Sequence, residues 1–89
     1  MKCYIITYDI KDPARQKTFK EKLKNLEGYC PVHDNCWAIL TEQTAAQLRD
    51  SLTSLLDAAD RIFIVKSGTE AGWKNSYGKD NDEWLKRNL

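Results

Sequence analysis

The sequence predicts an α+β domain: a ferredoxin-like βαββαβ sandwich followed by an aromatic loop and a short helix. Two observations lead to this class. Apolar periodicity reads, in order, as strand, helix, strand, strand, helix, strand. Pro31 lies in the second of those strands, where it cannot donate a ladder hydrogen bond, so that strand belongs at a sheet edge. Right-handed crossovers leave the split βαβ sandwich as the economical arrangement, and it places the second strand at an edge.

Each element has its own signal. Residues 2–8 form a strand, with Tyr4, Ile5, Ile6 and Tyr8 apolar or aromatic on both faces, as suits a central strand. Asp12 followed by Pro13 is a helix start. Phe19, Leu23 and Leu26 then make one buried stripe, and Gly28 reads as the residue ending the helix. Strands at about 29–33 and 36–41 are joined by the turn Asp34-Asn35. Thr44 with Gln47 is a capping box. Leu48, Leu52, Leu55, Leu56 and Ala59 continue at helical spacing until Asp60-Arg61 breaks the pattern. Residues 62–66 form the last strand, ended by Ser67-Gly68. Residues 1–68 are thus one domain and 69–89 a tail. Asp80 or Asn81 would cap its helix, which ends near Asn88. Trp73, Tyr77 and Trp84 make the tail aromatic, so it is expected to pack on the domain or on a second subunit.

The 89 residues suffice for one small domain, and a domain of this size is often marginal alone, so oligomerisation is a common remedy. Lys plus Arg number 14 and Asp plus Glu 13, a net charge of +1. Any nucleic-acid contact must then come from a local patch. Cys3, Cys30 and Cys36 are an odd number, and only a few apolar residues separate Lys2 from Asp9. The reading is a reduced, cytoplasmic protein without a membrane span.

Cys30, His33 and Cys36 have the spacing C-x2-H-x2-C, which invites a zinc site. Strand parity puts Cys30 on the face opposite His33, and no fourth ligand is near, so buried cysteines are expected instead. His33 is expected beside the turn, partly exposed, with a proton-donor role open. The first helix carries Arg15, Lys17, Lys20, Lys22 and Lys24 against Glu21. Lys17, Lys20 and Lys24 share a face, either solvated or touching phosphate. Arg15 lies in the first helical turn, near the strand end that carries Asp9, and its planar fork suits phosphate or a carboxylate. Tyr4, Tyr8, Trp37 and Phe63 read as core or interface aromatics, with base stacking as the alternative. Neither a glycine-rich phosphate loop nor a Ser–His–Asp set can be assembled. Asp9, at the exit of a central strand, is either the polar residue that opens a loop or a group with chemistry.

The string YIITYDI, with Asp12 and Arg15 at the start of a helix, resembles the opening of the second CRISPR-associated protein family, and DRIFIV resembles its fourth strand. That likeness covers about residues 3–66. CWAILT, SGTEAGW and EWLKRNL are similar to a group of small bacterial and phage proteins labelled SinR-like, over nearly the whole chain. The virulence-associated protein D toxins are more distantly similar.

The resemblance implies a homodimer. It implies a metal-dependent endonuclease on RNA or DNA, in which Asp9 of each copy shares a divalent cation such as Mg2+. The scaffold role of other family members depends on partner surfaces in a C-terminal part that differs here, and is not carried over. It makes Asp9 and Arg15 the catalytic candidates, with Asp9 as the metal ligand; Lys17, Lys20 and Lys24 remain the candidates for nucleic-acid contact. The chain departs from the CRISPR-type pattern in two places. Its hairpin reads His33-Asp34-Asn35-Cys36-Trp37, with no counterpart of that family's serine, and an aromatic tail replaces a strand that crosses between subunits. Two functions therefore stand as expectations: a dimeric Mg2+-dependent endonuclease, RNA before DNA, and a non-enzymatic dimeric module that binds nucleic acid or protein.

Overall fold

A computed structural model describes residues 1–68 and 70–89. Its elements are β1 (Lys2–Asp9), α1 (Pro13–Lys24), β2 (Gly28–His33), β3 (Cys36–Thr41), α2 (Ala45–Thr53), β4 (Arg61–Lys66) and α3 (Lys79–Asn88). Thr69, where the predicted tail begins, lies outside the described residues. The strands form one antiparallel sheet in the order β2-β3-β1-β4. The fold is a small α+β domain with a four-stranded antiparallel sheet and three helices, compatible with the ferredoxin-like class. Pro31 lies on an edge strand, where its missing N–H costs no ladder bond.

Strand alternation gives the sheet two faces. On one, Tyr4, Ile6 and Tyr8 of β1 and Trp37 and Ile39 of β3 pack against Phe19 and Leu23 of α1 and Leu48 and Leu52 of α2. The four helix side chains are fully enclosed, and each such burial contributes about 1.5–3 kcal/mol. The buried tyrosines keep their hydroxyls satisfied: Tyr4 Oη donates to the Gln43 carbonyl and Tyr8 Oη to the Asp34 carbonyl. On the other face, Leu85 of α3 is buried against Cys30 and Ala38, with Ile5, Val32, Trp73, Trp84 and Leu89 around it. Trp73 Nε1 donates to Asp82 Oδ1 at 2.8 Å, which ties the loop before α3 to that helix.

Three element ends differ from the sequence expectation. α1 stops at Lys24, capped by Asn25, so Gly28 is not its terminator but the first residue of β2. Gly28 is required there by space: a Cβ on it would stand 2.7 Å from Leu40 Cδ1 and 3.1 Å from Cγ, across the β2–β3 pair. Gly28→Ala is therefore expected to lower stability by about 1–2 kcal/mol, because overpacking outweighs the entropy gained on replacing a glycine. A chemical denaturation midpoint equal to or above wild type would refute this.

α2 begins at the Thr44–Gln47 capping box but ends at Thr53, not near Ala59. Hydroxyls of Ser51, Thr53 and Ser54 bond back to backbone carbonyls, and the Asp60 carboxylate takes the Asp57 N–H. Such side-chain bonds compete with helical ones. Leu55 and Leu56 follow in tight turns yet still reach the core. α3 begins at Lys79, ahead of both predicted caps. Gly78 precedes it with φ 124°, a conformation that favours glycine, and Asp80 and Asp82 sit in the first turn, where they complement the helix dipole.

One correction concerns a face. β2 carries a bulge between Pro31 and His33, so Cys30 lies opposite Ala38 and His33 opposite Cys36. Ala38 and Cys36 are two apart in β3. Cys30 therefore shares a face with His33 and Cys36, whereas simple alternation placed it on the other. Among the described residues, no three His, Cys, Asp or Glu side chains are grouped to hold a metal ion.

Candidate functional site

β1 carries Asp9 to its C-terminal end, on the face away from α1 and α2. The antiparallel register sets Arg61, the first residue of β4, directly opposite Asp9, and Phe63 opposite Thr7. The β2–β3 hairpin brings His33 and Asn35 to the same end of the sheet. Together these residues line an open groove of about 460 Å3. Phe63, 64% exposed, forms an apolar part of it. The groove thus presents a carboxylate, a guanidinium, an imidazole and an aromatic ring.

Asp9 is exposed, and both its oxygens accept from Lys11 Nζ, at 3.1 and 3.2 Å. An ion pair this exposed holds weakly and gives way to a better partner. Arg61 makes no ion pair among the described residues, so its fork is free for an anion.

Arg15 is placed otherwise. Its Nε donates to Asp60 Oδ2 at 2.9 Å and its Nη2 to Asp60 Oδ1 at 3.2 Å. Asp60 also accepts the backbone N–H groups of Lys11 and Asp57, and its side chain is wholly enclosed. The Arg15 guanidinium, with help from those two N–H groups, holds the Asp60 carboxyl well below the usual carboxylate range. This clamp joins the end of β1, the first turn of α1 and the approach to β4. It uses the Arg15 fork internally, and Arg15 does not line the groove.

Lys17, Lys20 and Lys24 line a separate shallow concavity with Glu21 and Gln16, which shares no residue with the Asp9 groove. Tyr4, Tyr8 and Trp37 are buried among core side chains. Tyr8 packs on Phe19 with ring centroids 4.9 Å apart, and Trp37 stacks on Tyr29 at 5.7 Å. Burial pushes the Cys3, Cys30 and Cys36 thiols up, which leaves them protonated and unreactive near neutrality.

Arg61 was missed from sequence because it reads as part of the break before the last strand. The signal was available: once that strand is antiparallel to β1, the residue ahead of Ile62 must face the residue after Tyr8. His33 was seen but not joined to Asp9, since that needs the β2–β3 hairpin placed against β1.

No family model matches the chain, and no curated protein matches it. Among solved structures, the crystal structure of a hypothetical protein from Thermus thermophilus is similar. Its TM-score is 0.69 at 24% identity, over 83% of this chain and 90% of that one. That likeness supports the small α+β fold and carries no activity with it. No helix among the described residues is long and apolar enough to cross a membrane.

Proposed function

We propose that this chain is a ferredoxin-like, homodimeric, cytoplasmic endonuclease that cleaves RNA with Mg2+, akin to the SinR-like and second CRISPR-associated families. The observation that supports it best is the groove itself, where Asp9, Arg61 and His33 open onto one concavity at the end of β1. One carboxylate per chain is too few for a hard cation, so Asp9 from each of two copies would hold the ion, with water completing its shell. Bound there, the ion would activate water and offset charge on the phosphate.

The chain's own residues supply the rest. Arg61, rather than Arg15, offers its planar fork to the non-bridging phosphate oxygens. Lys11, exposed and weakly paired, would give up Asp9 to a cation. Phe63 offers a ring for a base, and His33 carries a proton to the leaving oxygen as the phosphorus–oxygen bond breaks. Three protonated, buried thiols suit a reducing compartment.

The test is cleavage of a labelled single-stranded RNA with Mg2+ and with EDTA. Asp9→Asn is expected to lower the Mg2+-dependent rate by about 100-fold or more while leaving the melting temperature near wild type, because Asp9 is exposed. Equal residual cleavage by the two proteins would reject the reading. A second reading, a non-enzymatic dimeric module that binds nucleic acid or protein, is favoured by one observation: among the described residues Asp9 is the sole carboxylate lining the groove, and it already pairs with Lys11. Under that reading RNA binding survives Asp9→Asn and Mg2+ produces no fragments.

A further inference from the structure

We infer that the cleft between His33 and the aromatic tail loop is a nucleobase subsite, continuous with the Asp9 groove, that makes the ligand a single-stranded rather than a duplex nucleic acid. The inference rests on the nucleic-acid reading above and specifies its substrate class.

Four observations carry it. First, His33 lines both concavities. On one side lies the Asp9 groove; on the other is a cleft of about 230 Å3 walled by Trp73, Lys74, Asn75, Ser76 and Tyr77. A strand can pass from one to the other over a single imidazole. Second, exposed rings stand in both: Phe63 in the groove and Tyr77, 54% exposed, in the cleft. Third, each concavity holds a cation, Arg61 or Lys74, that makes no ion pair among the described residues. Rings alternating with unpaired cations match a chain that alternates bases with phosphates.

Fourth, the cleft is pre-built. Tyr77 Oη donates to Asp34 Oδ1 at 2.9 Å, and the Asp34 carbonyl accepts from the buried Tyr8 at 2.6 Å. Trp73 is fixed to Asp82, and Asn75 takes the left-handed conformation at φ 61°. The tail loop is thereby tied to the hairpin and to α3, with Trp73 packed inward beside Leu85 and Tyr77 left exposed. A cleft of this volume is smaller than the roughly 300 Å3 typical of sites for drug-sized ligands, and suits one planar ring system. A duplex keeps its bases stacked inside and offers no ring to such a cleft.

The test measures anisotropy of 5′-labelled oligouridylate of eight residues in EDTA, so that binding is read without cleavage. The comparisons are the matching oligothymidylate and a blunt RNA duplex. Tyr77→Leu is expected to weaken oligouridylate binding about 10-fold, as loss of one stacked base would. Tyr77→Phe loses the Asp34 hydrogen bond but keeps the ring, so it is expected to bind within about 3-fold of wild type, which separates stacking from a structural role. Lys74→Ala is expected to weaken binding several-fold and to flatten the salt dependence by about one phosphate contact. The duplex is expected to bind at least about 10-fold less tightly than the single strand.

The inference is overturned if Tyr77→Leu and Lys74→Ala bind as wild type does, if the duplex binds as tightly, or if no oligonucleotide binds. Binding that responds to Tyr77 and Lys74 without any Mg2+-dependent cleavage rejects the endonuclease and keeps the subsite. Cleavage that depends on Asp9 but not on Tyr77 or Lys74 keeps the endonuclease and rejects the subsite. Comparable binding of oligothymidylate would assign the subsite to single strands of either sugar.

Discussion

Deleting residues 70–89 is expected to unfold the domain at ambient temperature, or to leave it with a broad, weak melting transition. Those residues are not a loose terminus: they cover one face of the sheet. Leu85 is fully enclosed against Cys30 and Ala38, and Trp73, Trp84 and Leu89 close over Ile5 and Val32. A buried leucine truncated to alanine costs about 2–5 kcal/mol, so Leu85→Ala alone takes a large part of the margin. A domain of this length has a total stability of roughly 4–13 kcal/mol. Removing α3 and its approach takes away that leucine, two tryptophans and the Asn81 bond to the Pro31 carbonyl on the edge strand. Thermal denaturation followed by circular dichroism checks both variants. A truncated protein that melts cooperatively within a few degrees of wild type would show that the sandwich stands without its tail.

What could be read from sequence follows the reach of each interaction. Pro31 announces an edge strand because the constraint lies in its own backbone, and Thr44 with Gln47 announces a helix start because both partners are three residues apart. Gly28 was misread because its reason is Leu40, across the β2–β3 pair; local grammar made it a helix end. The bulge after Pro31 reversed the parity of Cys30, and nothing in the string CPVHD marks where an extra residue enters a ladder.

The site divides in the same way. Asp9 stood out because a carboxylate ends an apolar run. Arg61 did not, and His33 and Tyr77 stood out without any link to Asp9, because each reaches the groove or its neighbour through pairing of distant segments. Arg15 shows the converse. Its fork suits phosphate or a carboxylate, and which of the two it takes is decided by a carboxylate 45 residues away.

That occupation has a testable consequence at acid pH. The Asp60 carboxylate accepts from Arg15 twice and from the Lys11 and Asp57 N–H groups, and its folded pKa lies far below the unfolded value of about 3.9. A depressed carboxylate stabilises the fold above its unfolded pKa, and that contribution fades as pH falls toward the folded value. Asp60→Asn is therefore expected to melt several degrees below wild type at pH 7, with the gap narrowing steadily as the pH drops below about 4. A gap that stays constant to pH 2.5 would mean the clamp is not the source.

The same clamp decides what Arg15 is for. If it acts only by holding the end of β1 against the approach to β4, then Arg15→Ala and Asp60→Asn remove one shared interaction. Their effects on melting temperature and on RNA cleavage should then be strongly non-additive. If Arg15 instead contacts substrate phosphate, the double variant loses activity beyond Asp60→Asn alone, and the salt dependence of binding falls with Arg15→Ala but not with Asp60→Asn. The expected result is the first. Under the proposed reading, Arg15 would then serve to keep Asp9 and Arg61 face to face, and Arg61 would be the residue that meets the phosphate.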